Sequence, residues 1–76
     1  MEEALKTLGL SSNESKIYLA LLEHGRSSVS SIAHLTGIHR RNVYDALKRI
    51  IDKGLVFQVH FHTENLYQAV EPEKLR

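Results

Sequence analysis

The chain has no cysteine, a single proline and four glycines among its 76 residues, and its formal net charge at neutral pH is only +1. Without cysteine there is no disulfide framework, no thiolate metal site and no cysteine nucleophile, so an apolar core must hold the fold unless a second subunit helps. No apolar run approaches the ~20 residues of a membrane span, and the N-terminus opens on Glu2 and Glu3 rather than on a basic then apolar signal segment. The expectation is a soluble, cytoplasmic, nucleoid-associated protein. No glycine-rich loop suited to cradling a phosphate is present, nor any paired acid and base in a pocket able to exclude water, so an enzyme is not expected. Seventy-six residues allow one domain, which hides roughly 60% of the surface its unfolded chain exposes.

The charges that are present are sorted. From His39 to Lys53 five basic residues (Arg40, Arg41, Lys48, Arg49, Lys53) face two acids (Asp45, Asp52), a local net of +3. Residues 1–25 carry Lys6 and Lys16 against Glu2, Glu3, Glu14 and Glu23, and the segment from Gly54 carries Lys74 and Arg76 against Glu64, Glu71 and Glu73. Positive charge is thus gathered on one segment, the footprint of a local polyanion contact.

Periodicity supplies the frame. Ala4, Leu5 and Leu8 give a short first helix its apolar side, ended by Gly9. Ser11 with Glu14 three residues on is a capping-box pattern, predicting a helix from Ser12 to about His24 with Ile17, Tyr18, Ala20, Leu21 and Leu22 buried. Arg26 to Ser28 forms a connector with room for a very short strand. Ser28 then caps a helix from Val29 to Thr36, with Ile32, Ala33 and Leu35 inward. Gly37 suits a left-handed turn, and the next helical pattern starts within about three residues, which is helix-turn-helix spacing. In that helix Val43, Ala46, Leu47, Ile50 and Ile51 repeat at helical spacing until Gly54. Leu55, Phe57, Val59 and Phe61 then alternate with Val56, Gln58, His60 and His62, predicting a half-buried strand with the first set inward. Thr63 and Glu64 are the expected turn, Leu66 to Val70 the returning strand, and Pro72 closes it before a possible final helix over Glu73 to Arg76. The fold class is mainly α with a small β-hairpin, a winged helix-turn-helix over residues 1–76, with a recognition helix at about 39–53 and a wing at about 55–70.

With Val43, Leu47 and Ile50 pointing inward, Arg41, Asp45, Lys48 and Asp52 point away, Asn42 and Arg49 lie on one flank and Tyr44 on the other. The N-terminal turns of such a helix read bases while later residues meet the backbone. Arg41, Asn42 and Asp45 are therefore candidates for base edges, and Arg40, Lys48 and Arg49 for phosphates. Arginine can hold guanine, and asparagine adenine, through two parallel hydrogen bonds. Asp45 can accept from cytosine or orient Arg41 or Arg49 through an i, i+4 pair.

These residues carry a resemblance. Leu8-Gly9-Leu10-Ser11, Glu14, Ile17-Tyr18, Leu21-Leu22, Gly25, Ile32-Ala33, Gly37-Ile38, Arg40, Val43-Tyr44, Leu47, Gly54-Leu55-Val56 and Tyr67-Gln68-Ala69-Val70-Glu71-Pro72 together resemble the N-terminal winged helix-turn-helix of TrmB-type transcriptional regulators. The resemblance implies a sequence-specific module binding double-stranded DNA in transcription, normally as a homodimer. Three departures stand out. Such regulators usually continue into a sugar-binding effector region, and no small-molecule effector domain is expected in this chain. His39 stands where serine or proline is commoner, so the helix start is expected to be capped differently while His39 remains a DNA-facing candidate. The wing has no lysine or arginine between Leu55 and Val70, which weakens its fit to the minor groove.

Five histidines raise the question of a metal, with His60 and His62 on one strand face and Glu64 or His39 within conceivable reach. They are read instead as wing residues, with no metal and no cofactor expected, and His24 and His34 as helix-end residues favoured by the dipole. Tyr18 and Tyr44 are read as half-buried packing residues rather than as a stacking platform for single strands. The rival to a DNA reader is a winged helix used for protein contact within a transcription complex. It predicts that Phe57 and Phe61 matter while Arg40, Arg41 and Lys48 do not. Major-groove faces repeat every ~34 Å, so a two-fold dimer is expected, with the first helix and residues 72–76 as its contacts.

Overall fold

A computed structural model describes residues 9–71; the first helix and the final helix expected from the sequence lie outside these residues, as do the dimer contacts assigned to them. Within the described residues the order is α1 (Ser12–His24), α2 (Val29–Thr36), α3 (Arg40–Asp52), β1 (Val56–Phe61) and β2 (Glu64–Ala69). Each helix starts where its capping chemistry allows. The Ser11 hydroxyl accepts from the Glu14 N–H at 3.2 Å while the Glu14 carboxylate accepts from the Ser11 N–H at 3.3 Å, so both sides of the capping box form. Ser28 accepts from the Ser31 N–H at 3.2 Å and starts α2. The connector between them contributes one β-bridge: Ser27 and Tyr67 exchange both backbone hydrogen bonds, at 3.0 and 2.8 Å.

One core unites these elements. Ile17, Tyr18 and Leu21 from α1, Val29 and Ile32 from α2, and Val43, Ala46, Leu47 and Ile50 from α3 meet Leu55, Val56, Tyr67 and Ala69. Tyr18 is fully buried rather than half-buried, and its hydroxyl donates to the Val70 carbonyl at 2.6 Å, which fastens the end of β2 to α1. Burial raises the pKa of this phenol. Leu35 faces solvent rather than the core, its place on α2 being taken by Val29, one helical turn before Ile32.

The hairpin corrects the expected strand in two respects. Antiparallel pairing runs from Val56 opposite Ala69 to Phe61 opposite Glu64, so the turn is His62-Thr63 and Glu64 is the first residue of β2. His62 takes a positive φ of 56° there, an uncommon conformation for a residue with a side chain. The inward set is also the other one. Leu55 is buried, but its N–H donates to the Ile50 carbonyl and completes the end of α3, so the strand begins only at Val56. Counting from Val56, the side facing the helices holds Val56, Tyr67 and Ala69, whereas Phe57, 43% exposed, and Phe61, 52% exposed, face outward with Val59. A shift of one residue exchanges the two faces of a strand, and assigning Leu55 to the strand makes that shift.

The architecture is a winged helix-turn-helix: three described helices packed around one core, with a two-stranded antiparallel hairpin following the third. No helix among the described residues is long and apolar enough to cross a membrane.

Candidate nucleic-acid interface

The junction between α2 and α3 sets how the candidate surface is presented. Thr36 Oγ1 donates to the Ile32 carbonyl at 2.7 Å and accepts from the Ile38 N–H at 3.2 Å. Between them Gly37 adopts φ 73° in the left-handed region and donates its N–H to the Ala33 carbonyl at 2.9 Å. Glycine meets this geometry without the penalty of a Cβ. Ile38 is buried beneath the turn and His39 caps α3, its Nδ1 accepting from the Arg41 N–H at 3.3 Å. An imidazole nitrogen thus stands in for the usual capping oxygen.

From this start α3 divides cleanly. Val43, Ala46, Leu47 and Ile50 are buried, and Arg40, Arg41, Asn42, Tyr44, Asp45, Lys48 and Arg49 are exposed. His39, Arg40, Arg41 and Asp45 line one shallow concavity of about 380 Å³ at the N-terminal end of the helix, joined by Tyr44. Asn42, Lys48 and Arg49 lie outside it. Asp45 forms no ion pair within 4.0 Å among the described residues, so the intrahelical pairing with Arg41 or Arg49 is absent there.

The basic residues are not equivalent. The Arg40 guanidinium donates to Ser30 Oγ, bridging α3 to α2 at the mouth of the turn. Lys53 is turned inward, donating from Nζ to Glu14 Oε2 at 2.9 Å and to the Gly9 carbonyl at 3.1 Å. Arg49 Nε lies 3.5 Å from Glu14 Oε1 with about half of its side chain exposed (51%). Glu14 itself is only 3% exposed. Burial alone would raise its carboxyl pKa, but the hydrogen bonds from Lys53 and Ser11 and the Lys53 charge outweigh that and hold it below the ordinary value of 4.5. Of the five cations from Arg40 to Lys53, two therefore serve a buried carboxylate, and Arg40, Arg41 and Lys48 remain as the outward positive charges.

Beside them lies a polar cleft of about 260 Å³ between the start of α2, the first turns of α3 and the hairpin tip, with Ser28, Ser30, Arg40, Tyr44 and Asn65 in its walls. The sequence pattern alone places none of Ser28, Ser30, Tyr44 and Asn65 at the site. In the sequence Ser28 reads as a cap and Tyr44 as half-buried, whereas Tyr44 is 49% exposed. Its flank on α3 opens onto the cleft instead of onto an apolar neighbour. The one available signal was the run Ser27-Ser28-Val29-Ser30-Ser31, which holds more hydroxyls than a cap requires.

His60 pairs with Asn65 across the hairpin, Nδ1 to Oδ1 at 2.9 Å, and His62 sits in the turn beyond the strand. Among the described residues no three His, Asp or Glu side chains gather in a metal-binding group.

Comparison with known proteins places this geometry in a wider set. The family model described as sugar-specific transcriptional regulator TrmB matches residues 5–73. An uncharacterized protein of Bacillus subtilis (strain 168), YrhO, is 35% identical over 63 residues, a stretch covering 83% of this chain and 23% of that protein. The chain thus spans about a quarter of the length of the curated relative it matches.

Proposed function

We propose that this chain, which belongs to the TrmB family of transcriptional regulators, binds double-stranded DNA in a sequence-specific manner through α3. The observation that carries the proposal is the exposed face of that helix. Arg40, Arg41, Asn42, Asp45 and Lys48 project from a helix whose other side is locked into the core, directly after a three-residue turn. In helix-turn-helix docking the N-terminal turns of the second helix approach base edges. Arg41 offers the paired donors that match the two acceptors of guanine, Asn42 the donor and acceptor that match adenine, and Asp45, unpaired within the described residues, is open to a cytosine amino group. Lys48 and Arg40 meet phosphates, Arg49 does so with the half of its side chain left exposed, and His39 lies at the tip of the helix. Ser30 and Tyr44 add neutral donors for phosphate oxygens in the adjoining cleft.

The fold measures 34 × 24 × 21 Å, while successive major-groove faces on one side of a duplex are ~34 Å apart. One copy therefore serves one half-site, and a homodimer on a two-fold symmetric site is the working arrangement. A second reading, protein contact within a transcription complex, is favoured by one observation, the outward position of Phe57 and Phe61.

The test is selection of preferred duplexes from a randomised pool, followed by titration of the selected site across a salt series with the wild type and Arg41→Ala. The expected result is a salt-dependent affinity, with Arg41→Ala losing about 1–3 kcal/mol on the selected site and relaxing preference at one base pair. Lys48→Ala should weaken all sequences alike and reduce the magnitude of the log–log salt slope by about 0.9. No enrichment of any sequence, with affinity indifferent to Arg41, would overturn base reading by this helix.

A further inference from the structure

Ladder geometry determines which edge of the hairpin is open. Tyr67 spends both its N–H and its C=O on Ser27, away from β1, so its partner Gln58 sits in a pair without direct ladder bonds. At the hairpin base Leu55 bonds to Val70, and by the alternation of an antiparallel ladder Phe57, Val59 and Phe61 bond to β2. Val56, Gln58 and His60 consequently direct their N–H and C=O groups outward, along an edge that no described element covers.

An open edge is usually blunted by a lysine, a proline or a bulge. β1, with the sequence Val-Phe-Gln-Val-His-Phe, contains no charged residue and no proline, and its register with β2 is unbroken. Its outward face presents Phe57, Val59 and Phe61, with Leu66 beside Val59 on β2. The whole wing, from Leu55 to Val70, has no lysine or arginine to hold it against phosphate.

The strand is also nearly a palindrome. Phe57-Gln58-Val59-His60-Phe61 reads as aromatic, polar, β-branched, polar, aromatic in either direction. Pairing of two copies about a two-fold axis requires a self-complementary surface, in which residue i meets j and j meets i. We infer that β1 pairs antiparallel with β1 of a second copy of this chain about an axis at Val59, joining the two hairpins into one continuous sheet. Phe57 then lies across from the partner's Phe61, on the same face as the Val59 pair, and cross-strand aromatic pairs of this kind are stabilising. Gln58 and the partner's His60 exchange their outward N–H and C=O groups, and no like charges are opposed. The inference does not depend on whether α3 reads DNA.

The absence of cysteine makes the test direct. At the axis the two Val59 residues form a pair without ladder bonds, with Cα atoms about 4.5 Å apart, inside the roughly 4.4–6.8 Å that a disulfide spans. Val59→Cys should therefore couple to a disulfide-linked dimer under mild oxidation far faster than Lys16→Cys, an exposed control on α1. In sedimentation velocity the wild type should show a concentration-dependent dimer that is lost in Val59→Lys, which sets two cations together at the axis, with the far-UV circular dichroism unchanged. The inference is overturned by a wild type that stays monomeric, by a dimer that survives in a folded Val59→Lys, or by Val59→Cys coupling no faster than the control. If Val59→Lys does not fold, the coupling comparison decides alone.

Discussion

A buried carboxylate that keeps its charge must be met by cations and N–H groups, and Glu14 is met by both. It closes the capping box at the start of α1 and receives Lys53 and Arg49 from the far end of α3. Because its folded pKa lies below the ordinary 4.5, the sign of the pH effect follows: the stabilisation is complete above that value and is lost as pH falls through the lower, folded one. Thermal melts from neutral pH downward should show an acid limb that is shallower in Glu14→Gln than in the wild type. Lys53→Met leaves the carboxylate buried with weaker partners and should cost about 1–3 kcal/mol, read by urea unfolding at neutral pH. Half of this arrangement is legible in the sequence, since Ser11 and Glu14 are three residues apart. The other half joins positions 39 residues apart, and no local pattern records it. Lys53 accordingly counts among the charges of the recognition helix until the fold shows it turned away.

Among the elements, the helices were the more readable because their signals are local and redundant: a serine cap at the start, periodic apolar positions and a glycine at the end mark both α1 and α2. The hairpin depends on a single parity, and that parity is set by whether Leu55 belongs to the helix end or to the strand. Two turn residues allow the elements to be tested separately. A Cβ at Gly37 would meet nothing within 4 Å, so Gly37→Ala should lose only the backbone penalty of a positive φ, about 1–2 kcal/mol. If DNA affinity falls further than the folded population does, the turn also sets the approach of α3. His62 presents the opposite case, a side chain already held at φ 56°. His62→Gly should stabilise the hairpin by up to about 1 kcal/mol, the relief at the turn being partly offset by the greater freedom of glycine in the unfolded chain. Differential scanning calorimetry of both variants measures the pair of shifts.

For the molecule as a whole, the near-neutral total charge concealed a polar distribution that the segment from His39 to Lys53 already displayed. All seven candidate residues, His39, Arg40, Arg41, Asn42, Asp45, Lys48 and Arg49, are exposed. Which of the cations also hold the fold together was not legible, because Arg40 is engaged by Ser30 and Arg49 by Glu14 across the packing of separate helices. The neutral part of the surface was missed for a related reason. Serine and tyrosine have adequate structural duties in any small domain, and only their convergence beside Arg40 separates Ser30 and Tyr44 from ordinary caps and packing residues.

The exposure of Tyr44 has an optical consequence. The chain has no tryptophan to dominate its emission and only three tyrosines, two of them, Tyr18 and Tyr67, enclosed in the core. A collisional quencher such as iodide or acrylamide should therefore act chiefly on Tyr44, and a duplex lying along α3 should shield it. The unlabelled protein thus carries a fluorophore at the surface in question, and occupancy of α3 can be followed by intrinsic ultraviolet fluorescence. Tyr44→Phe supplies the dark reference.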